Sequence, residues 1–113
     1  MSQNIALLTL SVIASGAVSA QRFVAYDGAQ AVAGDAVQGA ARADAADGDP
    51  VPVDAVGTAI VEAGAAVSVG DSLEADADGR GVPDTSGGNP QVARALEAAT
   101  APGQPIEVLL IGH

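Results

Sequence analysis

Residues 5–21 read IALLTLSVIASGAVSAQ. Two readings compete for this stretch, and they lead to different proteins. About ten apolar positions give way to small and polar ones and reach Val18-Ser19-Ala20, which has the form of a signal-peptidase site. An export signal, however, carries positive charge ahead of its apolar run. Here Met1-Ser2-Gln3-Asn4 has none, and the first arginine is Arg22, beyond the supposed cut. Leu8-Thr9-Leu10-Ser11-Val12 alternates apolar and polar, as a half-buried strand does, and Ser15-Gly16 begins a turn. The run is also too short to span a bilayer, which takes about 20 residues. The stretch is therefore read as retained, with residues 8–12 as the first strand.

Composition sets the frame. The 113 residues are the length of one domain, here 1–113. Ala and Val supply most of the apolar content, Phe23 and Tyr26 are the only aromatic residues, and Trp is absent. Small side chains gain little on burial, at roughly 25 cal/mol for each Å². Such a core is thin and would gain from assembly with further copies. Fourteen acids stand against four arginines (Arg22, Arg42, Arg80, Arg94), with no lysine and a net charge of -10. That balance argues against binding nucleic acid or an anionic membrane, both of which call for cations. With no cysteine there is neither a disulfide framework nor a thiolate.

Turn signals recur along the chain at Ser15-Gly16, Asp27-Gly28, Asp47-Gly48, Gly70-Asp71, Asp78-Gly79 and Pro102-Gly103. Short alternating runs lie between them, including Val51-Pro52-Val53-Asp54 and Ile106-Glu107-Val108-Leu109. This pattern predicts an all-β fold, a small antiparallel sandwich or barrel of short strands. Pro50 and Pro52 place their segment at a sheet edge or at the start of a strand. DTSGGNP, residues 84–90, is loop by composition. QVARALEAAT, residues 91–100, has helical propensity. Yet VQGAARADAADGDPVPVDAVG (37–57) and VARALEAATAPGQPIEVLLIG (92–112) align without a gap through a shared Gly-x-Pro-[Val/Ile]-x-Val block. Gly48 and Gly103 would each make a turn followed by a strand. Both stretches are accordingly read as strand-turn-strand units, and residues 92–100 as strand.

Sites for chemistry are few. Glu74-Ala75-Asp76-Ala77-Asp78-Gly79 has the alternating oxygens of a calcium loop, but its twelfth position is Thr85 and not Glu. A hairpin tipped by Asp78-Gly79 is the better reading, with no metal bound. The block 57–81 resembles biotinyl and lipoyl carrier domains, whose hairpin lysine this chain lacks. The sole histidine is His113 at the chain end, which leaves Ser72 without an evident base. Asp76 and Asp78 are acid-base partners only in principle. The chain is read as no enzyme, without cofactor.

Taken in order, Ala-Leu-Leu-Thr-Leu-Ser-Val at 6–12, Arg22-Phe23-Val24, Asp27-Gly28-Ala29-Gln30-Ala31 and 56–64 (VGTAIVEAG) form a recognisable series. Gly70-Asp71-Ser72-Leu73, Asp78-Gly79-Arg80, Ala95-Leu96-Glu97-Ala98-Ala99 and 106–110 (IEVLL) complete it. Together they resemble the capsid cement, or head decoration, proteins of tailed bacteriophages, over nearly the whole chain. The resemblance implies a structural protein on the outer surface of the virion head, made in the host cytoplasm. It also implies a homotrimer that clamps neighbouring major capsid subunits against the pressure of packaged DNA. It carries no catalytic residues across. Residues 1–7 are read as an extended arm, with Asn4, Ile5, Ala6 and Leu7 assigned to partner contact through strand pairing. The alternative is an exported, calcium-responsive acidic β module with residues 1–20 as its signal peptide.

Overall fold

A computed structural model describes residues 5–84 and 92–110. Asn4, residues 85–90 of the segment read as loop, Gln91 and His113 lie outside the described residues. Eight strands follow in order: β1 (Ala6–Ile13), β2 (Phe23–Ala25), β3 (Val37–Ala41), β4 (Pro50–Glu62), β5 (Ser72–Ala75), β6 (Gly81–Pro83), β7 (Ala93–Ala95) and β8 (Pro105–Leu110). The fold is all-β, as the turn spacing predicts. Hydrogen-bonded neighbours run β2-β3-β4-β8-β7-β5-β6, and β1 also pairs with β4. A parallel bridge from Ala63 to Gly81 brings β6 back beside the end of β4, so that the sheet nearly closes into a barrel.

The repeat seen in the sequence extends through nearly the whole described chain. Val12 lies opposite Val51 in the β1–β4 pair, and Val61 opposite Ile106 in the β4–β8 pair. Thr9 faces Asp54 as Thr58 faces Leu109, and Ile13 faces Pro50 as Glu62 faces Pro105. Phe23–Ala40 and Val24–Gly39 have counterparts in Ser72–Arg94 and Leu73–Ala93. Ala41–Val53 corresponds to Ala95–Val108. Two structural repeats thus follow one another, and the long strand β4 is the last strand of the first and the first strand of the second. The ungapped alignment needs one correction. Gly39 matches Ala93 at a separation of 54 residues, whereas Val53 matches Val108 at 55, so the second turn holds one residue more.

Gly48 and Gly103 have φ of 85° and 93°, the left-handed region their shared motif anticipates. The N–H of Gly48 donates to the Ala14 carbonyl and that of Gly103 to the Ala63 carbonyl, each at 2.8 Å. The repeat also accounts for Gln21, whose φ is 64°. It stands where the second repeat has Gly70: the N–H of Gln21 donates to Ala41 O at 2.9 Å, and that of Gly70 to Ala95 O at 2.8 Å.

The core follows the same plan. Val12, Ala14, Val18, Val24, Ala41, Ala45, Val51 and Val53 pack together in the first repeat. Their counterparts Val61, Ala63, Val67, Leu73, Ala95, Ala99, Ile106 and Val108 all lie in the second cluster. That cluster takes in Phe23, Ala31, Val37 and Ala40 from the first repeat as well. A side chain at Gly81 would be 3.4 Å from both Phe23 and Leu73 and 3.6 Å from Val61, which places the Phe23 ring inside the second core. Phe23 therefore joins the halves.

Two expectations change. β1 is a strand, but none of its residues is buried and six of the eight are exposed, where the alternation predicts one buried face. Of the two places expected for the prolines the structure has the second, with Pro50 beginning β4, a strand flanked by β1 and β3. Pro52 is tolerated there because the neighbouring contact needs only its carbonyl, which accepts the Arg42 N–H at 3.0 Å. Residues 93–95 are strand, against their propensity, since pairing to β5 and β8 outweighs a preference of a few tenths of a kcal/mol per residue. The strand expected over 92–100 ends there, with residues 96–97 in a bend and Ala99 making an isolated bridge to Val67.

A Cβ at Gly48 or Gly103 would meet nothing within 4 Å, so substitution there tests backbone strain alone. Gly48→Ala and Gly103→Ala should each cost about 1 kcal/mol in urea unfolding. The two costs should agree within about 0.5 kcal/mol, because the turns are structural copies.

Candidate functional site

The chain fills its interior mostly with small residues and leaves most of its leucines outside. Five of its seven leucines, Leu7, Leu8, Leu10, Leu96 and Leu109, are exposed, while Val and Ala fill the core. Seven of the eleven large apolar side chains exposed among the described residues are Ile5, four on β1, Val56 opposite β1, and Leu109 across β4 from Ile5.

The placement has local causes. The Ile5 N–H donates to Thr58 Oγ1 at 2.8 Å, and the Thr58 N–H returns a bond to Ile5 O at 2.9 Å. Thr58 in turn lies opposite Leu109, which brings Ile5 and Leu109 to either side of one position on β4. Leu8 lies opposite Val56. The register slips on both sides of that pair, leaving Leu7 and then Ala55 as the extra residues of two bulges. Leu7 is 77% exposed as a result. The result is an apolar surface across β1, the middle of β4 and β8. No charged residue occurs before Arg22, so β1 contributes none in a chain of net charge -10.

Of the residues assigned to partner contact, Ile5, Ala6 and Leu7 lie at this surface, and Asn4 is outside the described residues. Ile5 and Ala6 are bonded or paired to β4 of their own chain. Val56 and Leu109 were not singled out as contact residues by the sequence. Their signal was the use of leucine in a chain that otherwise builds with alanine and valine.

The acidic segment forms the anticipated hairpin. Asp76 Oδ1 accepts the N–H groups of Asp78 and Arg80, both at 2.8 Å, and the Arg80 Nε–H donates to Asp76 Oδ2 at 3.1 Å. Glu74 is buried in β5 while Asp78 is exposed, so the alternating acids do not converge. Among the described residues no group of three or more His, Cys, Asp or Glu is placed to hold a metal ion. Arg22 and Arg80 both reach Glu62, at 3.2 and 3.7 Å, and Arg22 Nη1–H donates to the Asp78 carbonyl at 2.9 Å. These contacts tie the second hairpin to the first repeat.

A cleft of about 230 Å³ is lined by Gln21, Ala41, Arg42, Asp54 and Ile60. The Asp54 side chain is only 1% exposed. Its Oδ1 accepts the Thr9 hydroxyl at 2.9 Å, and its Oδ2 lies 3.4 Å from Arg42 Nε. The carboxylate is engaged on both oxygens by its own chain, which makes it a structural tie between β1 and β4. Asp54→Ala should cost about 2 kcal/mol in chemical unfolding, the scale of a hydrogen-bonded buried charge. Replacing Arg42 and Asp54 together by leucine should cost less than that single change, since an apolar pair can substitute for a buried ion pair.

With this geometry in view, the chain matches the family model described as phage cement protein over residues 2–110. No curated protein matches it. Among solved structures it is similar to the head fiber gp8.5 N base of bacteriophage phi29, with 25% identity and a TM-score of 0.76. That similarity covers 92% of this chain and 93% of the other.

Proposed function

The chain belongs to the phage cement protein family, and from that membership we propose that it binds the outer surface of the head shell and clamps neighbouring major capsid subunits. Membership puts its place of work at the virion capsid. Its role there is structural, with no catalytic step and no cofactor, and it acts as a homotrimer. The observation that carries the reading from family to mechanism is the apolar surface of Ile5, Leu7, Leu8, Val56 and Leu109, which Arg94 borders where it lies opposite Leu109. Large apolar residues held together at a surface mark a place of protein contact. Covering them would yield several kcal/mol, at about 1.5–3 kcal/mol for each side chain fully buried. The negative charge elsewhere on the molecule suits contact with shell protein and not with packaged DNA.

The test is binding to DNA-free heads stripped of this protein, followed by sedimentation, with native mass spectrometry for assembly state. Wild type should sediment saturably with the heads and run as a trimer. Leu7→Asp combined with Val56→Asp should weaken sedimentation at least about ten-fold, equivalent to about 1.4 kcal/mol. The melting temperature should shift by no more than about 4 °C, because exposed positions contribute little to stability. Undiminished binding by that variant would remove the surface from the mechanism.

A further inference from the structure

We propose that the outer edge of β1 takes a strand from the head shell, supplied by an extended, largely apolar segment with a lysine or arginine at one end. The inference rests on the cement reading and names the contact through which it works.

The argument begins with the direction of main-chain groups. Adjacent residues of a strand turn their N–H and C=O to opposite sides. Pro52 O accepts the Arg42 N–H on the β3 side, so Val51 and Val53 turn toward β1. Leu10 and Val12, opposite Val53 and Val51, turn back toward β4, and the Ala14 N–H continues the series onto Asp49 O at 2.8 Å. Thr9 and Ser11 therefore turn their N–H and C=O groups away from β4. No described strand lies on that side, since β1 pairs with β4 alone.

The second repeat shows what this edge does when it is covered. Thr58 and Glu62 are the counterparts of Thr9 and Ile13. Their N–H groups donate to the carbonyls of Ile5 and Gln21, both at 2.9 Å. The same edge is thus closed by main-chain carbonyls in one repeat and open in the other. Natural edge strands are protected by charge, proline or brevity. β1 has eight residues and neither charge nor proline, and its sequence ALLTLSVI suits strand addition.

Charge selects the occupant. The open edge ends at the Tyr26–Asp27–Gly28 turn, where a Cβ at Gly28 would press on the Ile13 carbonyl. Asp27 is exposed there, and Asp47 and Asp49 are exposed beside the same end of β1, bonded to Gly16 and Ala14. A basic residue at that end of the incoming strand would meet the Asp27 carboxylate on its own side of β1, with Asp47 and Asp49 adding negative charge from the β4 side. A second copy of this chain has little to offer. It has no lysine, and Arg22, Arg42 and Arg80 are held in ion pairs within the chain, while Arg94 donates to the Gly70 carbonyl.

The test uses full-length protein with Thr9→Pro and Ser11→Pro, singly and together. Each change removes a main-chain N–H from the open edge and none from the β1–β4 ladder. Thr9→Pro also removes the hydroxyl that Asp54 Oδ1 accepts, so Ser11→Pro is the cleaner single variant. On stripped, DNA-free heads the double variant should bind at least about ten-fold more weakly than wild type. In case proline impairs folding, hydrogen exchange of the wild type provides an independent measurement. The amides of Thr9 and Ser11 should exchange fast in the free protein and become protected on the heads. Wild-type binding with those amides still unprotected, or binding by the double variant equal to wild type, would overturn the inference. Protection in concentrated protein without heads would also overturn it, by giving the edge to a second copy. Failure of wild type to bind heads at all would instead sink the cement reading on which the inference rests.

Discussion

The architecture depends on β4 being paired along its length. Its first half lies between β1 and β3, and its second half is bonded to β8. Thirteen residues of one strand therefore carry the register of both repeats. A slip of one residue would turn Val51, Val53, Val61 and Ala59 out of their cores together. The first core is built from valine and alanine alone, and the second adds only Phe23, Leu73, Ile106 and Leu110, so large side chains do little to resist such a slip. Register is held instead by the paired turns at Gly48 and Gly103 and by the buried tie from Thr9 through Asp54 to Arg42.

Much of this was legible in the sequence, and the rest was hidden for identifiable reasons. Turn residues marked strand boundaries well, because Asp-Gly and Gly-x-Pro impose backbone angles locally. The Gly-x-Pro-[Val/Ile]-x-Val block correctly overrode helical propensity at residues 93–95. The first half of the duplication was not legible. Phe23 has become Ser72 and Gln21 has become Gly70 in the second repeat, so only pairing geometry reveals their equivalence. The alternation in residues 8–12 correctly gave a strand but wrongly implied a buried face. Alternation reports that a strand has two unlike sides, and whether the apolar side is covered depends on what packs there.

For the functional surface, leucine was the informative residue. A chain able to bury leucine in its core places five of seven outside and fills the interior with smaller groups. Stability of the isolated chain is forgone by that choice, since each leucine left in water withholds about 1.5–3 kcal/mol. The charge distribution points the same way. Acids crowd the turns while β1 has none, so repulsion between like molecules acts everywhere except at the face where contact is needed.

Duplication also raises the question of what each end of this pair of repeats can accept. The first repeat covers the second by inserting Phe23 and Ala40 into its core. At the equivalent positions the second repeat has Ser72 and Arg94. A third unit offered to that end would face a hydroxyl and a guanidinium, and burying them without partners costs more than the contact would return. The far end is thus closed to further repeats by two polar replacements. The β1 end has no such replacement: Leu8 and Leu10 remain exposed, and the main-chain groups of Thr9 and Ser11 face outward. One end of a two-unit stack is finished and the other is left open, and the open end is where a partner of different sequence can be joined.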